Sequence, residues 1–177
     1  MSINNQFLSN LDQINLGAIT DIESEIDSCD MVSLLFLLYE DPQIALQNLT
    51  VYLRVSKDIG GSTCNLLQEW VTRAQKRSTW KTELVEALAT CQLYTVIRKL
   101  GIDPTTAKSL SRKDSDVSNT YIHPMKKICY TVCENLDSQN FKSFKKFIMA
   151  NKPDIPDHES CEYAKKVKKC RQFMTNL

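Results

Sequence analysis

The most apolar stretch of the chain runs from Met31 to Tyr39, and Ser33 is the only polar side chain between those ends. The stretch is far too short to cross a bilayer, and an acidic pair and a proline at residues 40–42 end it. Asp30 stands at its start as a candidate N-cap. A short apolar run can also form a strand, but the neighbouring segments have the period of a helix. We therefore predict a buried helix that other helices surround.

Five more segments within residues 1–101 place apolar side chains three or four residues apart, the spacing that lines one face of a helix. They are Phe7–Ile26, in a first helix that ends near Asp27, then Pro42–Val55, Leu66–Ala74, Trp80–Leu88 and Leu93–Leu100. Ser78 or Thr79 is a candidate cap for the helix that contains Trp80, and Gly101 closes the last helix. Six amphipathic helices joined by short turns can bury their apolar faces only against one another, so we predict a compact bundle.

The second part of the chain begins with a segment of different composition. Residues 102–121 hold many Ser and Thr residues but no sustained apolar stripe, so they are predicted to be a linker with at most one helical turn around Ala107. An apolar stripe then resumes in three further helices, at Ile122, Met125, Cys129, Val132 and Leu136, at Phe141, Phe144, Phe147 and Ile148, and at Tyr163, Val167, Cys170 and Met174. Asp137 or Ser138 caps the second of them. Three helices leave apolar faces uncovered, so residues 122–177 are predicted to be an incomplete second bundle.

Composition supports an all-α globular protein. The chain is 42% hydrophobic and 24% charged, and its four glycines and five prolines are too few for the turns of a many-stranded β fold. The N-terminus lacks the features of a signal peptide, and no apolar run is long enough to span a membrane, so a cytoplasmic location without membrane contact is expected. The seven cysteines are expected to be reduced and structural, with Cys91, Cys129 and Cys170 on apolar helix faces.

Charge is distributed unevenly along the chain. The formal net charge is −4 over residues 1–121 and +5 over residues 122–177. Such complementary halves can support docking within one chain or head-to-tail association, although solvated faces give the same distribution. For the basic cluster Lys165–Arg171 the favoured interpretation is a solvated helix face. The second interpretation is a contact for an acidic protein. No nucleic-acid partner is expected, because the whole chain is nearly neutral.

The sequence offers no catalytic, cofactor or metal site. A cysteine protease needs a thiolate nucleophile with a histidine base, and no cysteine here has that setting or lies in a Q-A-C-x-G run. The histidines are His123, before a proline, and His158. A zinc site would need four ligands at characteristic spacings, and these spacings are not found among His158, Cys161, Cys129 and Cys133. Glycine-rich nucleotide motifs are absent as well, so we expect no cofactor.

Two segments share a short pattern. Ser33–Leu38 and Ser143–Lys145 each lie in a helix that follows another predicted helix, and each has a serine followed by an apolar residue. This pattern resembles the second helix of death effector domains, and the chain resembles the tandem death effector domains at the front of initiator caspases of the caspase-eight type, the insect members above all. The segments that carry the resemblance are Phe36–Tyr39, Thr79–Leu88, Arg98–Gly101 and His123–Pro124. At Gln92–Thr95, where the family often has R-x-D-L, both charges are missing, and Lys146 replaces a phenylalanine of the second copy.

The resemblance implies a fold and a function. The fold is a six-helix death-fold bundle over residues 1–101, the linker, and a second, apparently truncated death effector domain. Phe36 and Leu37 would project towards a neighbouring domain, and Phe144 and Phe147 would do so in the second copy. The partner would be an adaptor with a death effector domain (FADD-like), or further copies of the chain.

Three alternatives remain. The chain could be the front of a cysteine protease zymogen, or a decoy that lacks the protease. Outside the family, a helical bundle could bind a small apolar ligand in a cavity lined by Trp70 and Trp80.

Overall fold

The computed structural model describes residues 5–41, 44, 47–48, 65–111 and 120–151. All regular elements in these ranges are helices, which confirms the all-α fold class. Within these ranges the helices are α1 (Asn5–Asp12), α2 (Leu16–Glu23), α3 (Ser28–Leu38), α4 (Leu66–Ala74), α5 (Trp80–Thr90), α6 (Tyr94–Lys99), α7 (Pro104–Ser111), α8 (Pro124–Asn135) and α9 (Ser138–Asn151). Ile44, Gln47 and Asn48 are helical too; the rest of the helix predicted over Pro42–Val55 lies outside the described residues. The chain divides into two compact units, Met1–Lys127 and Ile128–Leu177.

The first predicted helix is two helices. The Asn15 side chain accepts a hydrogen bond from the backbone N–H of Ala18 (3.0 Å), which starts α2 after the end of α1. Ile14, between the two helices, is 3% exposed and therefore fills the core although it is not helical. Apolar periodicity continues across the break, so the pattern alone predicted one continuous helix.

The apolar stretch after residue 30 is the buried helix α3, as predicted. Six of its residues are each at most 5% exposed: Met31, Val32, Leu34, Leu35, Leu37 and Leu38. The predicted cap was wrong by three residues: the Asp27 carboxylate accepts the backbone N–H groups of Cys29 (2.7 Å) and Asp30 (2.9 Å). Asp30 instead lies in the first turn, where a negative charge is favourable at the positive end of the helix dipole.

Hydrogen bonds to other parts of the first unit hold helix α4 at its start and in its middle. The half-buried Glu23 carboxylate accepts the backbone N–H of Leu67 (2.8 Å) and of Gln68 (3.3 Å) at the start of α4. Burial raises the pKa of Glu23, and these hydrogen bonds oppose the rise. In the middle of α4, Trp70 is 2% exposed and its indole N–H donates to the carbonyl of Leu38 (3.1 Å).

Helix α5 lies at the centre of the first unit. All six residues from Leu84 to Ala89 are at most 2% exposed, and the helix packs against α3, α6 and α7. A helix buried on every side is normally apolar all round. Here one of the six residues is Glu86, at 1% exposed.

The predicted linker contains a helix of the first unit. Helix α7 packs against α5 and α6, and its Ala107 and Leu110 are buried. Asp103 caps this helix by accepting the backbone N–H of Thr106 (2.9 Å), and hydrogen bonds from Thr105 and Thr106 hold its pKa down at about 2. Two apolar residues one turn apart were too short a stripe to predict, so residues 102–121 looked like a linker. The first unit accordingly extends past residue 101.

The second unit begins within α8. The Asp137 carboxylate accepts the backbone N–H groups of Gln139 (2.8 Å) and Asn140 (2.7 Å), so Asp137 caps α9 as predicted. No residue of α8 is buried, and Cys129, which was expected on an inner face, is exposed. Cys91 is buried as expected, whereas Cys170 and the third predicted helix of this part lie outside the described residues. No described helix is long and apolar enough to cross a membrane.

Candidate interaction surface

The residues predicted to bind a partner differ in exposure. Phe36 is partly exposed, and Ser33, one turn before it, is partly exposed too. Leu37 is 2% exposed, so the expectation that Phe36 and Leu37 project together is wrong. Successive residues on a helix point about 100° apart, and α3 is covered on the side of Leu37. The surface that α3 offers is therefore the Ser33 and Phe36 face.

Residues 120–127, which we call the strap, lie next to the end of α3. They form a groove of about 270 Å³ together with residues of α3 and α5. The groove is lined by Leu37, Leu38, Glu40, Glu83, Tyr121, Ile122, His123 and Lys126. Ile122 is 3% exposed and Tyr121 is 42% exposed, so the strap has one side in the core and one side in water.

Glu86 holds the strap from inside the first unit. Its Oε2 accepts the backbone N–H of Tyr121 (2.8 Å) and of Ile122 (3.2 Å). Its Oε1 lies 2.5 Å from Nζ of Lys127, whose side chain is 17% exposed. A buried carboxylate is tolerated only when hydrogen bonds and a counter-charge replace the lost water, and the strap supplies both.

Lys126 makes the second attachment. Its ammonium donates to the carbonyl oxygens of Leu37 (3.4 Å) and Tyr39 at the C-terminal end of α3. The last carbonyls of a helix have no partner within the helix, and the negative end of the dipole favours a cation there. Burial lowers the pKa of Lys126, and the nearby Glu40 carboxylate opposes that shift.

An ion-pair cluster lies beside the groove. Arg77 bridges Glu40 (Nη1 to Oε1, 2.5 Å) and Glu83 (Nη2 to Oε2, 2.7 Å). The Thr79 hydroxyl donates to the other oxygen of Glu83 (2.6 Å). This cluster connects the segment after α3 with the first turn of α5. It is separate from Gln92–Thr95, where the family's charged motif was expected and where Gln92 adopts a left-handed turn with φ of 60°.

The second pair of predicted partner residues lies in α9. Phe147 is 68% exposed, and Lys146 beside it is exposed too. Phe144 belongs to the same helix, but its side chain is outside the described part of the structure. Their role in binding stays a prediction.

Within residues 5–41, 44, 47–48, 65–111 and 120–151, no three His, Cys, Asp or Glu side chains come together as a metal site would require. The groove beside the strap is not lined by Trp70 or Trp80, so it is not the apolar cavity considered above.

Comparison with known proteins identifies the family. Residues 12–112 match the family model described as "Caspase-8, N-terminal domain". The chain belongs to this family. The match confirms the resemblance to prodomains of the caspase-eight type, and it includes α7, in agreement with the packing of that helix on α5.

A curated relative of this caspase-8 N-terminal domain supports the same assignment. The protein named Caspase-8 from Drosophila pseudoobscura pseudoobscura is 30% identical over 133 residues, which are 73% of this chain and 25% of the relative. The chain thus spans about a quarter of the length of the curated relative that it matches. No solved structure matches the chain.

Sequence reasoning missed Glu86 as the residue that binds the strap. A signal was present, because Glu86 interrupts the apolar run Leu84–Ala89 in a helix predicted to be core. A charged residue in such a position needs a buried partner. The partners lie more than thirty residues further along the chain, in the strap, and only the fold brings them together.

Proposed function

We propose that this caspase-8 N-terminal domain is a non-catalytic interaction module that binds other death effector domains. Its partners would be a FADD-like adaptor in the cytoplasm, further copies of the chain, or both. The observation that carries the proposal is the family match, which falls on the N-terminal domain of caspase-8 and not on its protease part. An attached protease domain would be concentrated by such contacts, because tethered domains meet at a high effective concentration.

Phe36 is the proposed anchor of the contact. It lies at the centre of the motif that resembles death effector domains and is partly exposed between the buried Leu35 and Leu37. Aromatic side chains dominate many interfaces because they bury a large apolar area. The second unit is proposed as a second death effector domain that adds Phe144 and Phe147 to the binding surface.

This function has two versions, one with an attached protease domain and one without it. In a longer protein it would be the front of a cysteine endopeptidase zymogen and would promote its activation. Without a protease domain it would compete for the same adaptor and act as a decoy. Co-expression with a full-length initiator caspase separates the two roles, because a decoy lowers cleavage of a caspase substrate.

We expect Phe36→Ala to weaken binding to an adaptor death effector domain by about 2 kcal/mol or more, while the thermal melt shifts little. Titration calorimetry and a melt on the same preparation measure both effects. Leu16→Ala is the matched control, because Leu16 is an apolar side chain of α2 that is 52% exposed. Leu37→Ala is not a clean binding variant: truncation of a buried leucine costs about 2–5 kcal/mol of stability. Unchanged binding by folded Phe36→Ala would place the contact elsewhere.

A further inference from the structure

The strap lies beside the end of α3. Leu37 and Leu38 line the groove together with Tyr121, Ile122 and Lys126 of the strap. The backbone at the end of α3 is occupied as well, because Lys126 binds the carbonyl oxygens of Leu37 and Tyr39. The strap therefore meets α3 on the side of Leu37 and Leu38, next to Phe36.

We propose that the strap is an autoinhibitory latch, which covers Leu37 and the end of α3 and is held closed by the buried pair of Glu86 and Lys127. Opening would expose Leu37, Leu38 and Ile122 as one apolar surface beside Phe36. This inference rests on the proposed function, since the exposed surface would bind the death effector domain of a second copy of the chain. It adds a closed state of low affinity and an open state of high affinity.

The contacts that hold the strap in place suit a reversible latch. The side chains of Lys126 and Lys127 hold the strap. The backbone N–H groups of Tyr121 and Ile122 hold it as well, by donating to the Glu86 carboxylate. Loss of Lys127 would leave Glu86 buried without its counter-charge, and the chain can relieve this by letting water in when the strap opens. Removal of both charges would allow the closed strap again, because a neutral side chain needs no counter-charge.

The fraction of molecules in which the strap is open sets the apparent affinity. If only the open state binds, the apparent dissociation constant equals the intrinsic constant divided by the open fraction. A variant that raises a small open fraction about tenfold should therefore bind about tenfold more tightly. Exchange of the amide hydrogens of Tyr121 and Ile122 reports the same opening, because both amides donate to Glu86 when the strap is closed.

The test uses the full chain and three variants. Lys127→Met should open the latch, and the double variant Glu86→Gln with Lys127→Met should close it again. Lys108→Met is the control, because it removes an equal charge from an exposed position of α7. For each protein, amide exchange is followed by NMR, and binding to an immobilised copy of the wild-type chain is measured by surface plasmon resonance.

We expect Lys127→Met to speed exchange at Tyr121 and Ile122 and to tighten binding, each by about tenfold or more, with both returning towards wild type in the double variant. Core amides of α2 should stay protected on the timescale at which Tyr121 and Ile122 exchange. Unchanged exchange in Lys127→Met would overturn the latch. Faster exchange with unchanged binding would overturn autoinhibition and leave the proposed function standing if the wild type binds. An absence of binding to the immobilised copy by every protein, including the wild type, would overturn the latch, whereas the titration against the adaptor decides the proposed function separately.

Discussion

Trp70→Ala is expected to lower the free energy of unfolding by about 3–5 kcal/mol, the usual loss for a large aromatic side chain removed from a core. Trp70 is 2% exposed in α4, and its indole N–H donates to the carbonyl of Leu38 at the end of α3. The substitution thus leaves a cavity and also a carbonyl group without its donor. Urea unfolding followed by far-UV circular dichroism measures the change.

Trp80→Ala is the matched control for that measurement. Sequence periodicity placed Trp80 on the inner face of its helix, but the residue is only partly buried. Its ring lies 5.7 Å from Nζ of Lys81, a cation–π contact that is worth about 0.5–1 kcal/mol at an exposed site. Trp80→Ala should therefore cost about 1 kcal/mol. Equal losses for the two tryptophans would contradict the placement of Trp70 as the core tryptophan.

Glu86→Ala is expected to cost about 3–5 kcal/mol, which is the typical effect of removing one partner from a buried ion pair. The substitution leaves Lys127 without its carboxylate and leaves the backbone N–H groups of Tyr121 and Ile122 without an acceptor. Glu86 is 1% exposed, so water cannot replace these contacts without opening the structure. Chemical denaturation in parallel with the wild type gives the difference.

Glu69→Ala removes an exposed glutamate from α4 and should change stability by no more than about 0.5 kcal/mol. The comparison separates the buried attachment of the strap from the general loss of a negative charge. A loss below about 1 kcal/mol for Glu86→Ala would show that the strap contributes little to the fold of the first unit.

The helices could be predicted because their apolar spacing is local. The periodicity at Leu66–Ala74 and Trp80–Leu88 corresponds to α4 and α5, and Gly101 ends α6 with a left-handed φ of 72° that glycine adopts without strain. The break at Asn15 was missed because a capping side chain decides it, not the apolar pattern. Helix α7 was missed because its buried face consists of only Ala107 and Leu110.

The interaction surface could be predicted only in part. Phe36 was singled out by a local motif and is partly exposed, and its role in binding stays a prediction. Leu37 is buried and lies beside the strap, which is more than eighty residues away in sequence. Ile122 was assigned to the stripe of the second bundle, whereas it is buried in the first unit beside Glu86. Apolar spacing identifies a helix face but does not identify the element that covers it.

We propose that the chain binds other death effector domains. Sedimentation velocity of the purified chain, alone over a dilution series and mixed with an adaptor death effector domain, measures this binding. We expect a heavier species that dissociates on dilution or a stable complex with the adaptor, and loss of that species in folded Phe36→Ala. A wild-type chain that stays monomeric at every concentration and forms no complex with the adaptor would show that the proposed binding does not occur.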